Sequence, residues 1–251
     1  IVFLIVMLVL PLVYVIYTAL REGWKVFVSS VTDEYAVKSI FLTVKVTVIT
    51  VIINSVFGIF AAWLITRFKF RGKKLISTLI DLPLTISPII AGLIFVLTFG
   101  RQSAIYPFLE KWGIQIIFAV PGIVLATIFV TFPFISREII PVLTVKGTDE
   151  EEAAALMGAN GFQIFTQITF PHIRWAFLYG VVLCSARAMG EFGAVSVLSG
   201  HLRGITNTMP LYIELLYQAF DFTGAFAMSA ILVVMALVIL VLKNIFEKSM
   251  E

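Results

Sequence analysis

The chain has 251 residues, of which 60% are hydrophobic and only 13% are charged, with a formal net charge of +3. A soluble domain is about half apolar and about a quarter charged, so this composition excludes an ordinary soluble protein and indicates an α-helical membrane protein. The basic residues lie in short segments between apolar runs, which argues against a nucleic-acid surface, and the single cysteine, Cys184, excludes a disulfide framework or a zinc site.

Six apolar segments are long enough to cross a membrane, because a helix needs about 20 mostly apolar residues to span roughly 30 Å of hydrocarbon. A transmembrane barrel fits less well, since its strands are about ten residues long and alternate in polarity. We predict one all-α transmembrane domain over residues 1–251, and we expect a short N-terminal piece before Ile1. The predicted spans cover residues 1–20, 39–65, 75–99, 114–135, 175–198 and 225–242.

The loop between the second and third spans determines the predicted orientation. It carries five basic residues between Arg67 and Lys74 and no acidic residue. An even number of spans places both termini on the same side as this loop, and that side then holds ten basic residues against six on the other. The positive-inside rule therefore predicts that the loop and both termini are cytoplasmic.

Small and polar residues interrupt the predicted spans. Proline and glycine at these depths fit either kinked packing or the shaping of a transport pathway. The hydroxyl and amide groups fit either hydrogen bonds between helices or the lining of such a pathway. The interrupting residues are Pro83, Pro88, Gly92, Pro121, Gly122 and Pro133, with polar groups at Asn54, Ser55, Thr85 and Ser87.

The segment at about 137–174 is the longest stretch outside the predicted spans. Thr148 and Glu151 have the spacing of a capping box, and further acidic residues favour the positive end of the same helix. The run 153–157 has high helix propensity, and Gly158 then interrupts it. Apolar residues follow at helical spacing until Pro171, where we expect the helix to stop.

This segment is therefore predicted to form two short cytoplasmic helices with a bend between them. Its apolar residues have no membrane depth to occupy, so they need a cover. Two alternatives remain open from the residues alone: the helices fold back under the bundle, or they present a docking surface to a partner.

The same segment resembles the EAA loop of ABC importer permeases, in the order and spacing of its residues. Phe170 departs from the pattern, because the family usually has leucine before the proline. The resemblance implies a type I ABC importer permease fold, in which this loop docks on a cytoplasmic ATPase. The implied docking residues are Glu152, Ala153, Ala154, Gly158, Ile168 and Pro171.

The fifth predicted span contains two charged residues, Arg187 and Glu191, four positions apart and hence expected on one helix face. Charges at such depth normally face a bundle interior or a water-filled cavity. Two interpretations are open. The pair neutralises itself and fixes helix packing, or Arg187 offers positive potential to a passing anion while Glu191 prevents tight binding. In the second case, Thr85 and Ser87 are candidates to line the same pathway.

Two further stretches, 113–122 and 187–195, resemble permeases of the sulfate and thiosulfate (CysW-type) family. The segment 200–211 favours sulfate within the oxyanion branch, whereas the 187–195 pattern is shared with molybdate and tungstate permeases, which remain the alternative. His201 and Arg203 are predicted on the outer side, where they are either solvated or contact a binding protein or form an outer gate.

The resemblance also implies the partners. It predicts a bacterial inner-membrane complex of two permeases, here two different but related chains, with two ATPase subunits and an extracytoplasmic sulfate-binding protein. No phosphate-binding loop occurs in the sequence, so we expect ATP and magnesium on the partner ATPase and no cofactor, metal or nucleic acid on this chain. With only His172 and His201 as histidines, predicted on opposite sides, we expect a transport subunit and not an enzyme.

Two other protein classes fit the sequence less well. A gradient-driven secondary transporter, with Glu191 as a proton relay, predicts internal repeats and corresponding broken helices in two halves. The sequence shows no convincing repeat, and this class leaves the segment 148–171 without a role. A membrane-embedded hydrolase needs paired acids or histidines at mid-membrane, and Asp81 with Glu191 is too small a set.

Overall fold

The computed structural model describes residue 3 and residues 5–248. In that part of the chain the regular secondary structure is helical throughout, which confirms the predicted all-α class. The helices are α1 (Leu10–Leu20), α2 (Trp24–Thr32), α3 (Glu34–Arg67), α4 (Lys73–Thr85), α5 (Pro88–Phe99), α6 (Tyr106–Lys111), α7 (Val120–Thr131), α8 (Pro133–Lys146), α9 (Asp149–Leu156), α10 (Gly161–Ile164), α11 (Phe170–Met189), α12 (Gly193–Ser199), α13 (Met209–Gln218) and α14 (Phe222–Lys248); π-helical turns at Ile5–Val9 and Phe165–Thr169 precede α1 and α11.

Five of the six predicted spans correspond to helices or bent helix pairs of sufficient length and apolarity. Three are single spans: α3, the stretch Val120–Lys146 formed by α7 and α8, and Phe222–Asn244 within α14. The other two are bent pairs, α4 with α5 and Gly161–Met189 with α12. The first predicted span appears as the short apolar helix α1 and the turn before it, while its residues 1, 2 and 4 lie outside the described part of the chain.

The third span is bent by 110° between α4 and α5, and a proline explains the position of the bend. Ser87 has φ −57° and ψ 132°, outside the helical region, because the ring of Pro88 disfavours a helical conformation in the preceding residue. Pro88 itself starts α5, where its missing N–H costs nothing. The bend is thus encoded locally by the sequence.

The bounds predicted for the fourth span were wrong at both ends. The helix begins at Val120, six residues after the predicted start, and Phe118 before it has φ 58° and donates its N–H to the Leu198 carbonyl at 2.9 Å. At the other end helical structure continues through Arg137 to Lys146, into the segment expected to be a cytoplasmic loop. The charges of Arg137 and Glu138 suggested a membrane boundary, but buried residues on the other face of α8 keep this turn inside the bundle.

The centre of the bundle is a close approach of α3, α8 and α11 around Ile135. A Cβ atom placed on Gly58 of α3 would lie 2.9 Å from Ile135 Cγ2, and one on Gly180 of α11 would lie 3.0 Å from Ile135 Cα. Small residues allow membrane helices to approach closely and gain van der Waals packing. These contacts hold rigidly the two helices that connect the membrane core to the cytoplasmic segment.

Candidate functional site

The segment that is predicted to be cytoplasmic contains the two short helices expected from the sequence, but the predicted capping box is wrong. The Thr148 hydroxyl donates to the Glu152 carboxylate at 2.7 Å instead of accepting from the helix backbone. The Glu151 carboxylate does not return to Thr148, because it accepts from Arg67 at 2.8 Å and from the Thr169 hydroxyl at 2.8 Å. A charge-assisted bond to a guanidinium is stronger than a bond to a neutral amide, so the tertiary contact prevails.

Arg67 connects this segment to the membrane helices. Its side chain is 9% exposed and that of Glu151 is 15% exposed, so the ion pair is largely shielded from water. Arg67 also donates to the Leu143 carbonyl at 2.9 Å. One guanidinium therefore joins the end of α3, the last turn of α8 and the start of α9. Sequence reasoning counted Arg67 only as a topology charge and missed this role, because its partner lies 84 residues away.

Gly158 ends α9 in a conformation that favours glycine. Its φ is +91°, its N–H donates to the Ala155 carbonyl, and the Ala159 N–H donates to the Ala154 carbonyl. This pair of hydrogen bonds is a Schellman motif, and a left-handed residue at its centre is strained unless it lacks a Cβ atom. The turn brings Leu156 and Met157 to the tip of the segment, where both are almost fully exposed.

The second short helix, α10, has the capping box that the first one lacks. The Asn160 carboxamide oxygen accepts from the Gln163 N–H, and the Gln163 side chain accepts from the Asn160 N–H, both at 2.9 Å. Pro171 was expected to stop this helix, and that prediction was wrong. The helix is continuous from Gly161 to Met189, since the π-turn Phe165–Thr169 places Pro171 in the first α-helical turn that follows, where a missing N–H is tolerated.

Four of the six predicted docking residues lie on the surface of the segment. Glu152, Ala153, Gly158 and Pro171 are exposed, Ile168 is half-buried and Ala154 is buried. The exposed apolar residues at the tip, Leu156, Met157 and Phe162, were not selected as docking residues. The apolar spacing after Gly158 indicated residues that need a cover, but in a helix only four residues long it does not show that Phe162 is exposed while Ile164 is half-buried.

The structure only partly agrees with the alternative in which the segment folds back under the bundle. A cleft of about 820 Å³ separates α3 from the segment, with Phe60 and Trp63 on one wall and Phe162 and Phe165 on the other. Arg67 and Glu151 close one end of it. The segment is thus tied to the bundle at Arg67 and projects away from it at the tip.

Replacing Gly158 by alanine is expected to destabilise the tip by about 1 kcal/mol, because an L residue at this φ is strained. Gly161→Ala is the matched control, since a Cβ atom there meets nothing within 4 Å and its φ is not positive. Hydrogen exchange of the amides in residues 149–164 measures the difference. Exchange that rises equally in both variants would contradict the assignment of a backbone requirement to Gly158.

The second candidate region is the break in the fifth span. Arg187 and Glu191 form the predicted ion pair at 2.6 Å, but they do not share one helix face, because α11 ends at Met189. Glu191 lies in the break, and its other carboxylate oxygen accepts from the Ala194 N–H at 2.9 Å, at the start of α12. The Glu191 side chain is 1% exposed and that of Arg187 is 33% exposed. Only the cationic partner is therefore open to a ligand.

The break in the third span lies against the break in the fifth. A Cβ atom on Gly193 would lie 2.9 Å from Pro88 Cβ, and one on Gly92 would lie 2.7 Å from the Ala194 carbonyl oxygen. Thr85 and Ser87 lie in or next to the first break and are exposed. The structure thus places all four predicted pathway residues at two adjacent interruptions of transmembrane helices.

Asn54 has the packing role that was one of its two interpretations. It is fully buried, and its Nδ2 donates to Thr131 Oγ1 at 2.8 Å and to the Ile128 carbonyl at 3.3 Å, so it joins α3 to α7. A buried amide in a membrane helix is stabilised by such interhelical bonds. Asn54 therefore lies apart from the two breaks.

His201 and Arg203 lie in the turn after α12 and are exposed, away from Arg187. The segment that follows packs into the protein: the Thr206 hydroxyl donates to the Ser199 carbonyl at 2.7 Å, and the Met209 N–H donates to Thr43 Oγ1 at 2.8 Å. Among the described residues, no three His, Cys, Asp or Glu side chains lie close enough to hold a metal ion. The geometry thus offers a partly exposed cation at a helix break and an exposed apolar tip.

Comparison with known proteins indicates a transport protein of the inner membrane. Residues 54–251 match the family described as binding-protein-dependent transport system inner membrane component. The chain is 46% identical to the sulfate transport system permease protein CysW of Escherichia coli K12, over 97% of this chain and 84% of that protein. It is 47% identical to the protein of the same name from Synechococcus elongatus, over 96% and 84% of the two chains. A bacterial alginate ABC transporter in complex with a pentasaccharide-bound periplasmic protein has a chain of the same fold, with a TM-score of 0.81, 20% identity and coverage of 99% and 91%.

Proposed function

Since the chain belongs to the family of binding-protein-dependent transport system inner membrane components, we propose that it is the permease subunit of an ABC importer that carries sulfate or thiosulfate into the cytoplasm. The substrate is inferred from the identity of 46% and 47% to sulfate permeases over nearly the whole chain. Its homologues are transport subunits, so this chain conducts the anion and a separate ATPase supplies the energy.

The cytoplasmic segment receives the ATPase. Leu156, Met157 and Phe162 form an exposed apolar tip, and the acidic first turn of α9 lies beside it. An exposed apolar patch rimmed by charges is typical of a protein interface. The family docking residues Glu152, Ala153, Gly158 and Pro171 are exposed on the same segment, while Ile168 is half-buried and Ala154 is buried.

Two rigid connections carry a displacement of the tip into the membrane. The first is the ion pair between Arg67 and Glu151, which joins α9 to α3 and α8. The second is the continuous helix Gly161–Met189, which at 1.5 Å per residue reaches about 40 Å from the tip to the fifth-span break. A movement at Phe162 is therefore transmitted to Arg187 and Glu191 without an intervening loop.

The pathway runs past the two helix breaks. Arg187 is one-third exposed, Thr85 and Ser87 are exposed at the adjacent break, and Glu191 neutralises Arg187 when no anion is present. An ion is conducted well when a site attracts it enough to enter but releases it readily. A buried carboxylate that competes for the arginine provides that release.

The remaining partners follow from the family and from charge. A binding protein on the outer side delivers the anion near His201 and Arg203, and a second, related permease completes the pathway. ATP and magnesium belong to the two ATPase subunits. The excess of basic residues around Arg67 to Lys74 orients this loop and both termini to the cytoplasm of a bacterial inner membrane.

The complex, reconstituted in liposomes with its ATPase and binding protein, tests the proposal. We expect ATP-dependent uptake of radiolabelled sulfate. Unlabelled thiosulfate is expected to compete with this uptake, whereas molybdate is not. Uptake of molybdate in preference to sulfate would instead support the alternative substrate. Uptake driven by an ion gradient without ATP would support a secondary transporter and contradict both.

A further inference from the structure

A second ion pair lies between the fifth-span break and the cytoplasm. Arg137 Nε on α8 is 3.5 Å from Asp81 Oδ1 on α4, and the two side chains are 56% and 44% exposed. Arg137 precedes the end of its helix at Lys146 by nine residues, which is about 14 Å at 1.5 Å per residue. The pair therefore lies within the depth of the helical bundle and not at the ends of its helices.

The position of Arg137 relative to Arg187 can be read from α11. Gly180 packs against Ile135 and Glu138, so Arg137 lies at the level of Gly180. Arg187 is seven residues further along the same helix, about 10 Å nearer the outer side. Gly180, Leu183 and Arg187 have the spacing of one helix face. Arg137 and Arg187 thus lie at two levels, an inner and an outer one, of one surface of the bundle.

Residues of α4 lie at the same two levels. Asp81 and Thr85 are four residues apart and share one face. Asp81 meets Arg137 at the inner level, while Thr85 ends the helix at the break that contacts Gly193 through Pro88. Each level therefore combines a cation, a carboxylate and surface from two different spans.

A cavity of about 220 Å³ lies beside Arg137, at the inner level. Its lining residues are Leu84, Phe134, Arg137, Glu138 and Leu183. Leu183 is one helical turn from Arg187, and Leu84 adjoins Thr85. Since a water molecule occupies about 30 Å³ of liquid, the cavity has room for several waters or for one small oxyanion with part of its hydration shell.

The charges around this cavity cannot face hydrocarbon. Charged side chains within membrane helices face a bundle interior or a water-filled cavity, and Arg137 and Asp81 are too exposed in this chain for the first case. Glu138 interacts electrostatically with both Arg137 and Lys243, and Lys243 lies 5.3 Å from the ring of Tyr179. The cluster is therefore balanced in charge, and its Arg137 pair is longer and more exposed than the Arg187 pair.

We propose that Arg137 is a second anion contact of the import route, which receives the oxyanion from Arg187 before it leaves for the cytoplasm. Asp81 competes with the anion for the guanidinium and restores the ion pair after release. This inference rests on the proposed oxyanion transport and assigns to Arg137 a role beyond topology.

The test compares two variants that break the same ion pair in the complete complex with its ATPase and binding protein. Arg137→Gln removes the anion contact, and uptake of sulfate below saturation is expected to fall about tenfold, the usual effect of losing one charge-assisted hydrogen bond. Asp81→Asn leaves the guanidinium in place but removes the carboxylate that displaces the anion, so KM and the maximal rate are both expected to fall while uptake below saturation is retained. Arg137→Lys keeps the charge and is expected to retain most of the uptake.

Equal losses in Arg137→Gln and Asp81→Asn would overturn the proposal, because they would show that the pair only fastens α4 to α8. Wild-type uptake in Arg137→Gln would overturn it as well. If Arg137→Gln does not assemble with the ATPase, Arg137→Lys and Asp81→Asn decide: retained uptake in both supports the anion contact, and loss in both overturns it. Failure of the wild-type complex to import sulfate would instead refute the proposed function.

Discussion

Glu151→Ala is expected to abolish ATP-driven uptake while ATP hydrolysis continues. The substitution leaves Arg67, 9% exposed, without its carboxylate, and an uncompensated buried charge costs about 3–5 kcal/mol. The Leu143 carbonyl remains as one partner of the guanidinium, which does not replace a negative charge. The start of α9 is therefore expected to detach from α3, so that the ATPase moves the tip without moving the second and fourth spans.

The matched control is Glu150→Gln. Glu150 lies next in sequence and pairs with His172 at 2.8 Å, but its side chain is 64% exposed, and an exposed ion pair contributes at most about 1 kcal/mol. Uptake by this variant is expected to stay close to that of the wild type. Hydrogen exchange in residues 149–169 and uptake by the assembled complex measure both effects.

A double variant separates the ion pair from its members. Arg67→Ala combined with Glu151→Ala removes both charges, so its destabilisation is expected to be smaller than the sum of the single effects. Additive effects would contradict a direct coupling. Wild-type uptake by Glu151→Ala in a normally assembled complex would remove this pair from the transmission route.

Arg187→Gln is expected to lower uptake at least about a hundredfold, because it removes the cation that meets the anion and leaves Glu191 buried and unpaired. The loss alone does not separate a pathway role from a packing role. The combination of Arg187→Gln with Glu191→Gln does, because it removes both charges together and leaves no buried charge without its partner. The Ala194 N–H retains an amide oxygen as its acceptor in this variant.

The two interpretations of the pair predict different results for this double variant. If Arg187 contacts the anion, the double variant assembles and melts like the wild type but does not transport. If the pair only fixes packing, the double variant recovers uptake. Thermal unfolding of the purified complex and sulfate uptake, measured on the same preparation, distinguish these outcomes.

The predictability of this fold depends on the distance over which each feature is encoded. Apolar runs and the basic loop gave the spans, and the bend of the cytoplasmic segment follows from Gly158 and its neighbours. By contrast, the partner of Arg67 lies 84 residues away, and no local pattern announces it. A capping box was predicted at Thr148 because the local motif was complete. In the structure, Glu151 instead binds the guanidinium of Arg67, which is distant in sequence.

The break at Glu191 shows a second limit. Arg187 and Glu191 have helical spacing in the sequence. The ion pair between them was therefore predicted correctly, but it was expected on one helix face, whereas the helix ends at Met189. Gly190 and Gly193 flank the break, but glycine is also common inside continuous membrane helices. The close contact of Gly193 with Pro88 is what favours a break here, and it depends on a span about 100 residues earlier.

The segment 200–211, which favoured sulfate in the sequence, has a structural role in the fold. Thr206, Asn207 and Thr208 are buried, and the following Met209 N–H is held by Thr43. The segment therefore fastens α13 to α3 and presents only its beginning, at His201 and Arg203, to the outside. Its resemblance to sulfate permeases marks the family, while the proposed anion contacts are Arg187 and Arg137.

ATP hydrolysis by the reconstituted complex tests the central claim most directly. The binding protein is supplied empty or loaded with sulfate, thiosulfate or molybdate, and the rate is measured for the wild type and for Glu151→Ala. We predict that sulfate and thiosulfate stimulate hydrolysis in the wild type, that molybdate does not, and that stimulation is lost in Glu151→Ala. Stimulation by molybdate alone, or equal stimulation in both proteins, would contradict an oxyanion importer whose sulfate pathway is coupled to the ATPase through Arg67 and Glu151.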